Sequence, residues 1–248
     1  MELELQGKTA VVTGGSRGIG RAVARELALE GADVAIVARG REALEATAAE
    51  LETETGRRLL PIVADTTDDG AVRAMAAEAA STLGGVDILV NCAARPGGPR
   101  QPLEETTDEM FWEHMNTKVL GYLRCARAVA PGMRERGWGR IINVSGLAAR
   151  QSGSLIGSMR NVAVAAMTKN LADELGPHGV NVVCVHPGLT LTERFVAGEL
   201  PAPENAVRRH IDAREVAYVV TFLASPKAVS ITGDSIAVGG GAGRGIHY

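Results

Sequence analysis

Thr13-Gly14-Gly15-Ser16-Arg17-Gly18-Ile19-Gly20 follows the apolar run Thr9-Ala10-Val11-Val12 and opens a stretch in which Ile19, Val23 and Leu27 recur at i, i+4 and i+8. A β-branched run, a glycine-rich turn and an amphipathic helix, in that order, make the first half of a βαβ unit. Glycines allow a sharp turn and close backbone approach, and the helix start offers unpaired N–H groups and positive dipole potential. A dinucleotide pyrophosphate needs that chemistry, so Gly14, Ser16, Arg17, Ile19 and Gly20 are the first candidate cofactor contacts. A bare glycine cluster also suits a plain strand-to-helix turn; the flanking strand and helix favour the binding turn. The stripe predicts a helix with a buried inner face and with Arg21, Arg25 and Glu26 in water.

Outward from this turn the same alternation continues to the end of the chain. Strands are expected at Thr9–Thr13, Val34–Ala38, Leu59–Val63, Ile88–Asn91, Arg140–Ser145, Asn181–His186 and Ser235–Val238, with amphipathic stretches between them. This predicts an α/β fold: a single Rossmann-type, doubly wound domain over 1–248, its seven-stranded parallel sheet flanked by helices. No linker, repeat or low-complexity segment divides the chain; the loop Arg95-Pro96-Gly97-Gly98-Pro99 is too short to separate domains.

The balance of 26 basic against 29 acidic residues gives no polyanion-binding field, and only 3% of residues are aromatic. Nucleic acid is therefore not an expected partner. The start, Met1-Glu2-Leu3-Glu4-Leu5, lacks a basic region and an apolar core, and Val216 to Ala224 is too short to span a bilayer. A soluble, cytoplasmic protein with no membrane association is expected. Cys92, Cys125 and Cys184 are widely separated among apolar residues, which reads as packing thiols rather than disulfides or a metal site. Asn143-Val144-Ser145 spells a glycosylation sequon inside a run expected to be a buried strand, so it reads as accidental.

In a dinucleotide-binding unit an acidic residue about 20 positions after the last glycine takes the ribose hydroxyls and favours NAD. Here the second strand ends Val37-Ala38-Arg39. With no carboxylate to repel a phosphate, Arg39 and Arg17 can clamp a 2′-phosphate, so NADP(H) is the expected cofactor. The bland alternative makes both arginines ordinary surface residues.

These residues together resemble the short-chain dehydrogenase/reductase family, over essentially the whole chain. The glycine turn matches its TGxxxGxG, and Asn91-Cys92-Ala93-Ala94 resembles its NNAG segment with alanine last. The resemblance implies that Asp65, with Thr66, meets the adenine, and that Asn91 and Ala93 lie along the cofactor. It further implies that Pro187, Gly188, Thr190 and Thr192 approach the nicotinamide, and that Asn116 supports a water relay. The closing Ile231-Thr232-Gly233 and Val238-Gly239-Gly240 resemble the family's last strand.

Family chemistry moves a hydride between nicotinamide and a carbonyl carbon, with a tyrosine, a lysine and a serine serving the oxygen. The resemblance places the serine at Gly146, the tyrosine at Gly157 and the lysine at Asn161, and none of the three types is present there. A glycine cannot donate a proton, and a neutral Asn161 cannot depress a neighbouring pKa. The missing general acid alone is worth about 10²- to 10⁴-fold in rate. The candidate catalytic residues are therefore Asn116, Ser145 (one residue early), Ser158 and Asn161, the last able to hydrogen-bond the ribose. Arg160 and Ser158 read as helix-surface residues pointing away from Gly157 and Asn161. His114, Tyr122 and Tyr248 matter only if the fold brings them in, and His186 reads as a strand-end histidine near the cofactor rather than a base.

Three readings stay open. The first is an atypical NADP(H)-dependent oxidoreductase acting on a small carbonyl or alcohol substrate. The second is a catalytically inactive nucleotide-binding sensor, scaffold or partner subunit, and the third is elimination or isomerisation in the same pocket. The resemblance implies a homodimer or homotetramer, and 189–205 reads as a mobile, substrate-covering segment.

Overall fold

The computed structural model describes residues 2–95, 101–193, 195 and 202–243. Tyr248 and Pro96 to Pro99, with much of 189–205, lie outside the described residues.

The chain alternates β1 (Thr9–Thr13), α1 (Gly18–Leu29), β2 (Asp33–Ala38), α2 (Arg41–Thr55), β3 (Leu59–Val63), α3 (Asp69–Leu83) and β4 (Ile88–Asn91). There follow α4 (Asp108–His114), α5 (Gly121–Arg136), β5 (Gly139–Val144), α6 (Leu155–Leu175) and β6 (Val180–Pro187). A short pair, β7 (Thr190–Leu191) with β8 (Ile211–Asp212), precedes α7 (Ala213–Ala224) and β9 (Ser235–Val238). Seven strands pair in parallel in the order β3-β2-β1-β4-β5-β6-β9. All seven expected strands form, with ends shifted by at most one residue; the β7–β8 pair was not foreseen.

Alternation along the strands sorts the core onto two faces. Val12, Val34, Ile36, Val90 and Ile142 face α1, α2 and α7, meeting Val23, Leu27, Leu44 and Val220. Val11, Ala35, Val37, Leu89 and Ile141 face the other way, onto Val72 and Met75 of α3 and Val129 and Met133 of α5. Both faces are covered, which is why the strands read as continuous apolar runs rather than alternating ones. The expected stripe of α1 is buried, but Glu26 is not wet: it is 9% exposed and held by Arg25 at 2.6 Å.

Strand order reverses between β1 and β4, so their carboxyl ends diverge and leave a crevice where α/β proteins bind ligands. Thr13 and Asn91 end these two strands in register with each other. The Thr13 hydroxyl accepts from Cys92 N at 3.1 Å and Ala93 N at 3.2 Å, and Gly14 N donates to Val37 O at 2.8 Å. Three strand ends are thereby tied together beneath one cleft.

Candidate active site

The cleft has a volume of about 1130 Å³ and runs from the glycine turn to the ends of β5 and β6. At the turn, backbone crowding dictates the residue type. A Cβ on Gly20 would lie 2.2 Å from Gly14 O, and Gly14 has φ 70° and leaves no room for a Cβ, which would stand 3.0 Å from Ala93 N. Only glycines let α1 start this close to the loop. Arg17 caps α1 without a side-chain hydrogen bond, and the first turn carries no acidic residue. Instead Glu193, from the loop after β7, accepts from Gly18 N at 2.6 Å. A carboxylate from elsewhere in the chain thus already uses this N-terminus as an anion site. Sequence reading missed Glu193, since nothing local marks a long-range cap.

Gly14, Ser16, Arg17, Ile19, Gly20, Arg39, Asp65, Thr66, Ala93, Pro187, Gly188, Thr190 and Thr192 all line this cleft. The Arg39 side chain is 69% exposed and lies 3.8 Å from Asp65 Oδ2, too exposed a pair to immobilise it. Burial pushes Asp65 up, but Thr67 N and Oγ1, at 2.9 and 2.8 Å, and the Arg39 charge outweigh it and hold the carboxyl below its ordinary value. Asn91 is the exception among the expected cofactor contacts. It is fully buried and does not line the cleft; its Nδ2 donates to Asn143 Oδ1 at 2.9 Å, and Asn143 Nδ2 donates to Thr168 Oγ1 at 3.0 Å. This chain of carboxamides braces β4, β5 and α6 under the cleft, and it confirms that the sequon asparagine is interior.

The inner end is built by β5, α6 and the π-helical stretch Met115–Leu120 that joins α4 to α5. Ser145, Gly146 and Asn161 line it together, the Ser145 hydroxyl donating to Asn161 O at 3.2 Å. A Cβ on Gly146 would stand 3.1 Å from Asn161 Nδ2. Asn161 is 4% exposed and its Oδ1 has no partner among the described residues. Lys118 also lines this end: it is 3% exposed, and its Nζ donates to Ser145 O at 2.7 Å. Burial, then the nearby Arg160 charge, pushes the Lys118 amine down to about 7. Arg160 is 4% exposed and lines the cleft.

Two candidate catalytic residues lie elsewhere. Asn116 is outside the cleft lining, its Oδ1 taken by Arg124 Nη1 at 2.8 Å. A π-helical stretch fits extra residues into a turn, so face assignments from regular helical spacing slip there, and Lys118 rather than Asn116 turns inward. Ser158 donates to Gln151 O at 3.0 Å and lines a separate pocket with Ser154 and Leu155. Arg160 corrects the opposite error: three residues beyond Gly157 is close to a full turn, so it shares the buried face with Ile156, Gly157, Asn161 and Val164.

Among the described residues, the other titratable candidates do not reach the cleft. Tyr122 is 1% exposed, donates to Val144 O at 2.9 Å and is pushed well above its ordinary value by burial. His186, 1% exposed beneath Gly146, is pushed down to about 4 by burial and by Arg150 and Lys118, which fits a neutral strand-end histidine. His114 lies behind Arg160, its Nδ1 2.7 Å from Arg160 Nη1, and burial lowers its pKa. Of the three free cysteines, Cys125 and Cys184 are buried, whereas Cys92 is half-buried and lines the cleft. Desolvation pushes its thiol up to about 12, so it is inert at neutral pH. Among the described residues, no cluster suits a metal ion and no helix is long and apolar enough to cross a membrane.

The family model for short chain dehydrogenase matches residues 8–199. The chain belongs to that family. It is 37% identical over 250 residues to the short-chain reductase protein NovJ of Streptomyces niveus, across 95% of this chain and 94% of that protein. It is 35% identical over 260 residues to the 3-oxoacyl-[acyl-carrier-protein] reductase FabG of Vibrio cholerae, across 96% of this chain and 98% of that one. Among solved structures it superposes on L-sorbose reductase of Gluconobacter frateurii, complexed with NADPH and L-sorbose, with TM-score 0.90 and 31% identity. That match covers 97% of this chain and 98% of the other.

Proposed function

We propose that this protein is an NADP(H)-dependent oxidoreductase of the short-chain dehydrogenase family, with a non-standard proton donor serving a carbonyl or alcohol substrate. The carrying observation is one continuous cleft that joins an anion-ready glycine turn to an inner end where Lys118, Ser145 and Asn161 meet. The residues fit the cofactor. Gly14 and Gly20 let the α1 N-terminus close up on the turn that would receive a pyrophosphate, Arg17 and the exposed Arg39, held only at 3.8 Å by Asp65, line the cleft where a 2′-phosphate would sit, and the unpartnered Asn161 Oδ1 suits a ribose hydroxyl. NADPH and NADP accompany two solved relatives, L-sorbose reductase and a short chain dehydrogenase of Burkholderia cenocepacia.

Bound there, the nicotinamide supplies or accepts the hydride. The chain's own residues do the rest. Pro187, Gly188 and Thr190 line the cleft beyond β6 while Thr192 stands by Gly18 at the glycine turn, and the Ser145 hydroxyl, by exchanging Asn161 O for the substrate oxygen, would orient it. No tyrosine lines the cleft among the described residues, and Lys118 is its only lysine. An amine near neutrality on the wall can hold the proton that carbonyl reduction consumes. Asn116 and Ser158 have no part in this account.

A second reading is a nucleotide-binding subunit working through a partner, favoured by Gly146 and Gly157, where the family's serine and tyrosine would stand. Exposed Leu155, Met159 and Val162 along α6, and Leu120 at the start of α5, offer an apolar face for the homo-oligomer that either reading expects. The experiment is NADPH consumption by purified protein against a panel of ketones, aldehydes and oxo acids. Turnover above buffer that is lost in Lys118→Met supports the oxidoreductase; tight NADPH binding with no turnover on any member leaves the partner-subunit reading.

A further inference from the structure

Two basic side chains are buried at the inner end of the cleft with no acidic partner among the described residues. Arg160 is 4% exposed and Lys118 is 3% exposed, and each depends on a neutral partner. Arg160 Nη1 meets His114 Nδ1 at 2.7 Å and Arg95 O at 3.4 Å, while its buried Nε has no partner. Lys118 gives one N–H to Ser145 O. The acidic residues lining the cleft are committed elsewhere: Glu50 to Arg21, Asp65 to Thr67 and Arg39, Glu193 to Gly18 N. Glu113, the acid nearest His114 in the chain, pairs with Arg95. Among the described residues the neighbours thus add no negative charge: His114 is held neutral by burial and by Arg160 itself, and Cys92 stays a thiol.

A buried charge left unpaired is costly, and a fold that keeps two side by side has a use for an anion there. We propose that the inner end of the cleft is an oxyanion site, in which the Arg160 guanidinium, assisted by the Lys118 ammonium, binds a carboxylate or phosphate carried by the substrate. The substrate class is then an anionic carbonyl or hydroxy compound, an inference that rests on the oxidoreductase reading only in calling the anion a substrate. His114 is a positioning residue: its neutral Nδ1 fixes the guanidinium from behind and leaves the other edge to the ligand. Planar, bidentate capture of an oxyanion is what an arginine held this way does best.

The test is calorimetric titration of oxalate, and separately of inorganic phosphate, into protein saturated with NADP, so that the α1 end is already filled. We expect saturable one-to-one binding of at least one probe, weakened about tenfold or more by Arg160→Met and by a smaller factor by Lys118→Met. The stronger probe tells carboxylate from phosphate. Equal affinity in wild type and Arg160→Met, or no binding of either probe, overturns the proposal. Should NADP itself fail to bind, the cofactor reading fails, and the same titration without nucleotide still judges the oxyanion site through the two variants. Should Arg160→Met fail to fold, wild-type crystals grown with selenate decide it. An anomalous peak within hydrogen-bonding distance of the Arg160 guanidinium supports the site, and peaks confined to the α1 N-terminus overturn it.

Discussion

Gly20→Ala probes the joint between the glycine turn and α1. The new Cβ would stand 2.2 Å from the carbonyl oxygen of Gly14, with Gly14 C at 2.8 Å and Gly15 Cα at 3.3 Å. All three are backbone atoms, so no side chain can swing aside, and the helix must part from the turn by roughly 1 Å in a close-packed interior. That is hard because Val23, Ala24 and Leu27 on the same helix are fully buried against the sheet and α7. Overpacking of this kind costs about 1–3 kcal/mol, offset by up to about 1 kcal/mol from alanine's better helix propensity. A net loss of about 1–2 kcal/mol lowers Tm by about 2–8 °C in a chain of this size. NADPH binding should weaken as well, since the helix start moves away from the phosphates. Gly176→Ala is the matched control: its Cβ meets nothing within 4 Å, so Tm should stay unchanged. Differential scanning calorimetry and NADPH titration measure both effects. Wild-type Tm and wild-type NADPH affinity in Gly20→Ala would refute the close approach of helix and turn.

Three further outcomes follow from buried charge and exposed surface. Lys118, about 7 folded against 10.5 ordinarily, is protonated more readily in the unfolded chain between those values, so wild-type stability rises with pH across that window. Lys118→Met should therefore be more stable than wild type at pH 7 in anion-free buffer, by about 1–4 kcal/mol in urea unfolding, with the gap narrowing toward pH 10. His186, about 4 folded against 6.5 ordinarily, takes up its proton first in the unfolded chain, so stability falls as pH drops from 6.5 toward 4. His186→Gln should flatten that slope, by up to about 3 kcal/mol in urea unfolding at pH 4 relative to pH 7, and an unchanged slope would contradict the burial of a neutral imidazole. Val162→Glu, on the exposed apolar stripe of α6, should lower the mass seen by light scattering without changing the circular dichroism; an unchanged mass would remove that stripe from any self-association.

The fold was legible because its signals are local and repeated. Each strand is a short β-branched run covered on both faces, and the glycine turn sits where sheet order reverses, so pattern and position agree. The outer half of the cleft was legible for the same reason: Gly14, Arg17, Arg39 and Asp65 all sit at strand ends or just beyond them. Of the inner half, only Ser145 and Asn161 were legible. Lys118 was hidden by a π-helical stretch that breaks regular spacing, and Arg160 by reading direction from its immediate neighbour rather than from residues three and four away. Glu193 reaches Gly18 across 175 residues, a pairing that no local pattern encodes. Asn91 carried the resemblance correctly in position, but it braces the cleft from beneath instead of lining it.

The proposed function stands on NADP(H) binding in this cleft through the glycine turn and the Arg39 side. Calorimetric titration of NADPH, NADP, NADH and NAD into wild type and Arg39→Ala tests it most directly. The account predicts tight binding of NADPH and NADP, weakened about 10- to 100-fold by Arg39→Ala through loss of a charge-assisted phosphate contact, with NADH and NAD little changed by that substitution. Failure of all four nucleotides to bind, or NADPH binding indifferent to Arg39, would contradict it.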